Sequence, residues 1–426
     1  MTRGTRRLWT YTRAALSRVA ADAWRVLSEE PGTAVGDRAE RAASAIMLED
    51  AGELRGGMAK VAQLMGYLEG PGAAVDHDAR HTLGASWDAL SGIGHAQILA
   101  VVDAELGPGR FAHFSSTPLA AASLGQVHVA EAAGAAPDQT PRRKWAVKVQ
   151  YPGVAAALTD DLASGVLLRR LAGSDVGGAL PAASVAALRE AILAELDYRR
   201  EADLTESFGR AFAGDATIVV PAVNRDLSTG KILTTELLVG ERLSLLREAP
   251  EDVRARVALT LFRFAYGAPL RHGLCNADPN PGNYLVLDRD TGRVGFLDYG
   301  CAVELDPALV VEEKKLWRAA LEGEGEPFRM AVFGEGLLGQ KKVLSSTTYR
   351  DWEKYVVGPF RRDSFTWTHT YAAKLAQLTS TLVRAGGLEL PPHALLLWRQ
   401  RIGVAAVLGS LTPTANFRAA LTALLA

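Results

Sequence analysis

Between residues 275 and 300 the chain sets two acids and an amide around a short hairpin pattern. No other stretch limits its fold as much. The run is Cys275-Asn276-Ala277-Asp278-Pro279-Asn280-Pro281-Gly282-Asn283-Tyr284, followed by a strand, a turn and Gly295-Phe296-Leu297-Asp298-Tyr299-Gly300. Leu285 to Leu287 and Val294 to Leu297 are short apolar runs, and Asp288 to Gly292 between them is turn chemistry. A hairpin here puts Asn283 at the entry of one strand and Asp298 at the exit of the other, hence on one side. Pro279, Pro281 and Gly282 bend the preceding loop without helix. In phosphoryl transfer one Asp orients or deprotonates the acceptor, an Asn takes one metal ion, and a second Asp takes the Mg²⁺ that bridges the phosphates. Asp278, Asn283 and Asp298 are those residue types in that order. A polar surface loop ahead of an ordinary hairpin would contain the same residues, so the assignment needs support from upstream.

That support comes from residues 119 to 240. Ala120-Ala121-Ala122-Ser123-Leu124-Gly125-Gln126-Val127 has the small side chains of a tight loop that lets backbone N–H groups approach an anion. Trp145 to Gln150 alternates as a strand, with Lys148 opposite the apolar set. A loop and then a strand bearing one central Lys is the order of a kinase small lobe. Residues 184 to 210 carry a helix pattern containing Glu195, Asp197 and Glu201, three acids of which one could hold that Lys. The bland alternative is a charged outer face with pairs such as Glu195 and Arg199. Lys231 to Leu238 is expected as an edge strand ending at Gly240, with the backbone around Glu236 and Leu238 facing an adenine edge. Asp252 to Gly267 is expected as helix, Pro269 to Gly273 as a lead into the central loop, and everything after Pro307 as helix except a polar connector near 345–363.

Composition excludes little but is consistent. The 426 residues are 48% hydrophobic and carry a net charge of −1, which gives no bulk case for a nucleic-acid partner. Two cysteines exclude a disulfide scaffold and suit a reducing compartment; both are expected to be small apolar fillers. No apolar run is expected to reach the length of a membrane span. Residues 1–30 have the pattern of an Arg-rich amphipathic helix, which either lies on an anionic membrane or packs on its own domain. Lys60 and Gln63 stand three apart on one face of a further helix with small neighbours.

Taken together, the chain resembles the ABC1/ADCK/UbiB (AarF-type) atypical kinase-like family. The matching stretches are the alanine-rich loop at 120–130, Val147-Lys148-Val149-Gln150-Tyr151-Pro152-Gly153-Val154, Glu195 to Glu201 with its E-x-D, Leu227 to Leu243, and the Asp278/Asn283/Asp298 set. The resemblance implies an α+β, protein-kinase-like bilobal fold with an added N-terminal helical extension: 1–112 the extension, 113–242 the small lobe, 243–426 the helical lobe. It implies ATP and Mg as cofactors. Lys148 would contact the phosphates and Glu201 hold it. Ala121, Ala122, Ser123 and Gln126 of the loop, with Glu236 and Leu238, would line the nucleotide. Asn283 and Asp298 would hold the metals, and Asp278 take the catalytic-base position. Lys60 and Gln63 match the ends of the family's K-x-G-Q signature, with Lys60 reaching toward Glu195 and Asp197 as a regulatory contact. The third signature position is Ala62 instead of Gly, and the His two before the catalytic-loop Asp is Asn276. The C-terminal membrane span of some quinone-pathway relatives is not expected here.

The function implied is an ATP- and Mg-dependent kinase or ATPase supporting isoprenoid-quinone or other lipid metabolism. A lipid or quinone precursor is the candidate second ligand, and the N-terminal helices are the candidate membrane contact of a cytoplasmic, membrane-peripheral protein. Two other readings stay open: a nucleotide-gated lipid-binding protein with incidental ATPase, and a small-molecule phosphotransferase.

Overall fold

The computed structural model describes residues 94–122, 124–133, 143–156, 193–338 and 347–426, with a few more between 159 and 190. The expected N-terminal helices, Lys60 and Gln63 lie outside the described residues.

The small lobe is one antiparallel sheet. Its strands are β1 (Phe111–Phe114), β2 (Ala120–Ala122), β3 (Gly125–Ala132), β4 (Lys144–Gln150) and β6 (Ile232–Glu236), ordered β1-β3-β4-β6 with β2 paired to β3. Gly125 closes the tight β2–β3 turn because a side chain there would meet the Val149 carbonyl oxygen at 2.1 Å. Directly opposite residues of an antiparallel pair share a face. Val127 lies opposite Lys148, and Lys148 opposite Leu233, so these three define one face. The other face carries Val147 and Val149, both fully buried. Helix α1 (His95–Leu106) packs against β4, burying Ile98 and Val102. Glu105 of α1 also bonds Thr229 and Lys231, at 2.8 and 2.7 Å.

The pattern expected as one helix over 184–210 is broken. Residues 193–194 are helical, 195–197 are not, and α2 (Tyr198–Ala211) then begins with Asp197 as its N-cap. The Asp197 carboxylate accepts from the Arg199 N–H at 3.0 Å, which meets a donor the helix start leaves unpaired. Asp197 and Glu201 therefore do not share a helix face, and Glu195 does not pair with Arg199 across a turn.

The predicted hairpin is present. Strands β9 (Tyr284–Asp288) and β10 (Arg293–Phe296) pair with Phe296 opposite Tyr284, flanked by β5 (Ile218–Val219) and β7 (Glu241–Arg242). Helix α3 (Glu251–His272) runs further than its pattern indicated. Pro269 sits inside its last turns, and the helix stops at Gly273, whose φ of 64° is the left-handed conformation glycine adopts freely. Strands β8 (Leu274–Asn276) and β11 (Ala302–Glu304) pair beside the loop at 277–283.

The C-terminal part is α4 (Pro307–Glu322), α5 (Glu326–Gly334), α6 (Thr347–Val357), α7 (His369–Arg384), α8 (Pro392–Leu411) and α9 (Phe417–Leu425), with a small β12–β13 pair (Phe365–Thr366, Thr414–Ala415). The stretch expected as a polar connector is mostly helix α6. Its charged residues hid the buried stripe of Tyr349, Trp352 and Val356. The expectation about apolar length is also corrected: Ala394–Leu411 is long and apolar enough to cross a membrane, but 83% of it is buried in the protein, as a core helix would be.

The hairpin packs on α3 through an aromatic stack. Phe296 lies face to face with Phe264 of α3 at 3.7 Å and edge-on to Tyr284 at 5.4 Å. Phe296→Ala should lower stability by about 3–5 kcal/mol, because the rigid surroundings cannot collapse into the void. Chemical denaturation checks this; a loss of less than about 1 kcal/mol would show that the stack does not bear the hairpin.

Candidate active site

The expected residues converge. Lys148 projects from β4 toward α2, and its ammonium donates to both Glu201 carboxylate oxygens, at 2.8 and 2.9 Å. Asp298 Oδ2 is 3.6 Å from the same nitrogen. Glu201 is buried, while Asp298 is about one-third exposed, so the pair opens toward solvent on the Asp298 side. Burial works against the Lys148 charge, yet Asp298 and Glu201 outweigh it and hold the ammonium well above its ordinary value. Burial pushes the Glu201 carboxyl up to about 7, with Lys148 pulling the other way.

The loop at 277–283 is braced by its own polar groups. The Asn283 side-chain amide donates to Asp278 Oδ2 at 3.0 Å, and its backbone carbonyl accepts from the Leu297 N–H at 3.0 Å. The hairpin thus ties the loop to the strand end that carries Asp298. Asn276 donates to the Asp298 carbonyl at 3.0 Å and accepts from the Asp278 N–H at 3.2 Å. An amide can make both bonds at once without titrating. Asp298 Oδ1 accepts from the Gly300 N–H at 2.9 Å. Tyr299 is fully buried against Phe208 of α2 at 4.8 Å, and its hydroxyl donates to the Phe296 carbonyl.

Other sequence-predicted residues sit differently. Gln126 is buried beside His128, at 3.2 Å from its ring, and lies opposite Val149, on the sheet face away from Lys148. Its expected nucleotide contact is therefore corrected: strand alternation carries Val127 to the Lys148 face and Gln126 to the other. Ala121 lies opposite Gln126 and Ala122 opposite Gly125, at the turn; Ser123 lies outside the described residues. The Glu236 N–H is taken by the Ala222 carbonyl, and its side chain is paired with Arg143 at 3.4 Å. Leu238 follows β6 and packs over Gly295. Asp197 is exposed at its helix cap, whereas Glu195 is buried and accepts from the Cys301 thiol at 2.8 Å. The cysteines are thus more than fillers: Cys275, likewise buried, donates to Gln400, and burial pushes its thiol up to about 12.

Three site residues escaped the sequence reading. Asn276 was noted only as a departure. Arg200 of α2 reaches the Gly300 and Ala302 carbonyls, at 3.4 and 2.8 Å. Arg399 of α8 bonds Asp278 Oδ1 at 3.1 Å. The one signal for Arg399 is the run Arg399-Gln400-Arg401 inside a largely apolar helix.

The comparisons agree with this geometry. Residues 89–328 match the model of the ABC1 atypical kinase-like domain. The chain belongs to the ABC1 atypical kinase-like family. It is 30% identical over 231 residues to the mitochondrial atypical kinase COQ8B of Rattus norvegicus, covering 54% of this chain and 42% of that protein. It is 25% identical over 315 residues to the mitochondrial atypical kinase COQ8 of Saccharomyces cerevisiae, covering 73% and 61%. The matches thus span less than two thirds of either relative. A solved structure, the Rv3197–erythromycin complex from Mycobacterium tuberculosis, superposes with a TM-score of 0.61 at 27% identity, over 91% of this chain and 96% of that one. The fold is kinase-like. The relatives' names place them in mitochondria, and a matched Arabidopsis thaliana protein is named as chloroplastic, so the cytoplasmic expectation finds no support among them.

Glu201 gives a pH signature. Folding raises its carboxyl from 4.5 to about 7, so between those values the folded chain holds a proton that the unfolded chain has released. Folding stability from this group therefore rises as pH falls through about 7 toward 4.5, and is absent above about 7. Glu201→Gln removes that contribution. The melting-temperature gap between the parent and this variant should shift in the parent's favour from about pH 8 to about pH 5.5. A gap that does not move with pH would refute the assignment.

Proposed function

We propose that this chain binds ATP with Mg²⁺ and moves the γ-phosphoryl group, either to water or to an acceptor, in support of isoprenoid-quinone or other lipid metabolism. The observation that carries the reading is Lys148 bonded to Glu201 with Asp298 at 3.6 Å. An interior lysine held by a helical carboxylate and faced by a strand-end Asp is the arrangement that neutralises a polyphosphate.

The donor chemistry fits the metal. The Asn283 nitrogen is engaged by Asp278, which leaves its side-chain oxygen, and Asp298 brings a carboxylate. Mg²⁺ prefers such hard oxygens and takes only one or two protein groups when phosphates supply others. When bound, the ion would offset the charge that develops on the transferred group. Lys148 would hold the α- and β-phosphates, Glu201 would keep the lysine aimed, and Asp278 would orient the attacking oxygen. The small residues of the β2–β3 turn let backbone N–H groups approach the phosphates. Catalysis here is positioning and charge neutralisation.

The binding-protein reading draws on one observation: the Mycobacterium tuberculosis neighbour was solved with erythromycin, a large apolar-faced ligand. In that reading ATP switches affinity for a lipid, quinone precursor or similar molecule, and the N-terminal segment touches the membrane. Flotation with anionic liposomes, with and without MgATP, separates the two. Association that follows nucleotide state while Asp298→Asn leaves it intact favours the binding role.

For the enzymatic reading, purified protein should release phosphate slowly from MgATP, and Asp298→Asn should lower the rate at least about a hundredfold, a loss typical of removing a central electrostatic group. ADP with Mg²⁺ should raise the melting temperature of the parent. Equal turnover in parent and variant would end the assignment.

A further inference from the structure

Helix α8 meets the catalytic loop at successive points. Gln400 accepts from the Cys275 thiol at 3.0 Å. A side chain at Gly403 would stand 2.0 Å from Pro279 Cγ, so the helix backbone lies directly against the loop. Between these contacts, Arg399 donates to Asp278 Oδ1 at 3.1 Å, with both side chains almost wholly buried.

Filling space at position 399 would need only Leu or Met. Burying an arginine is costly unless its charge is met, and removing one partner of such a pair strands the other. What the pair gains is orientation. Asp278 has one carboxylate oxygen on Arg399 and the other on the Asn283 amide nitrogen. With that nitrogen engaged by Asp278, the side-chain oxygen is the Asn283 group left to take a metal ion.

We infer that Arg399 is a positioning residue for the metal site, acting through Asp278 to present the Asn283 oxygen to the divalent ion. The inference rests on the proposed ATP–Mg²⁺ function. It also gives Asp278 a further part, since each of its carboxylate oxygens is bonded to a neighbour, one to Arg399 and one to Asn283. The second consequence concerns α8, which becomes the platform of the metal-binding loop although it lies more than a hundred residues further along the chain.

The test is a Mn²⁺ titration followed by electron paramagnetic resonance on the full chain with saturating ADP, together with ADP affinity in excess chelator. Arg399→Met should raise the half-saturating Mn²⁺ concentration at least about tenfold and leave metal-free ADP affinity within about twofold. Arg399→Lys, which keeps the charge but not the planar fork, should fall between parent and Met variant. It is also the variant to rely on if Arg399→Met does not fold. The Mg²⁺ needed for half-maximal phosphate release should rise in the same order. Unchanged Mn²⁺ binding in Arg399→Lys would overturn the inference while leaving the function standing. So would a parallel fall of metal and nucleotide affinity that tracks melting temperature. A parent that binds neither ADP nor Mn²⁺ would sink the function itself, and the inference with it.

Discussion

A lysine cannot sit inside a protein without its charge being answered, and much of this molecule is arranged to answer that of Lys148. Removing one member of a buried ion pair typically costs about 3–5 kcal/mol because the other is stranded. Lys148 lies on the central strand of the small sheet, and Glu201 comes from a helix more than fifty residues later. Satisfying both requires α2 to dock against β4 in one register. That docking is fixed by Tyr198, Ala202 and Leu233, which form a small buried cluster beneath the pair. The lysine also lies over the Tyr198 ring at 5.0 Å, a contact that favours the charged form. Asp298 completes the balance from the other lobe.

The helical lobe repeats the same tactic with more groups. Helix α8 is apolar enough to pass for a membrane span, yet it carries Arg399, Gln400 and Arg401 on its buried length. Arg399 meets Asp278, Gln400 meets Cys275, and Arg401 pairs with Glu313 of α4 while lying over Trp317 and Trp398. Each polar group is matched by a partner from a different element. An apolar helix could have packed in several rotations; charges that each need a partner on another element narrow that choice.

Local patterns in the sequence carried the hairpin, the Lys148 strand, and the Asp278, Asn283 and Asp298 set, because each depends on spacing within one element or one turn. The features that were misread depend on something outside the segment. The break at 195–197 follows from an N-cap that looks like helix sequence until the next element is placed. Gln126 seemed part of an anion loop, but a period of two in β3 sends it to the α1 side. Helix α6 hid its buried stripe behind charge, and Pro269 looked like a stop although α3 continues past it. Arg399 could not be assigned from its neighbours, since its partner is 121 positions away.

The two lobes are not free to choose their relation at the site. Arg200, one residue before Glu201, donates to the Gly300 and Ala302 carbonyls immediately after Asp298. On the same helix Phe208 packs against Tyr299, the residue next to Asp298. Glu195, just ahead of α2, accepts from Cys301. So α2, at Arg200 and Phe208, and Glu195 just ahead of it hold the segment around Asp298 at three places. Moving α2 away from β4 to release Lys148 would strain all three contacts, and swinging Asp298 outward would pull on α2. The lysine, its carboxylate and the facing acid therefore form one mechanical unit. The geometry at Lys148 reports on α2 and the Asp298 segment together, so a perturbation of either should be felt at the other.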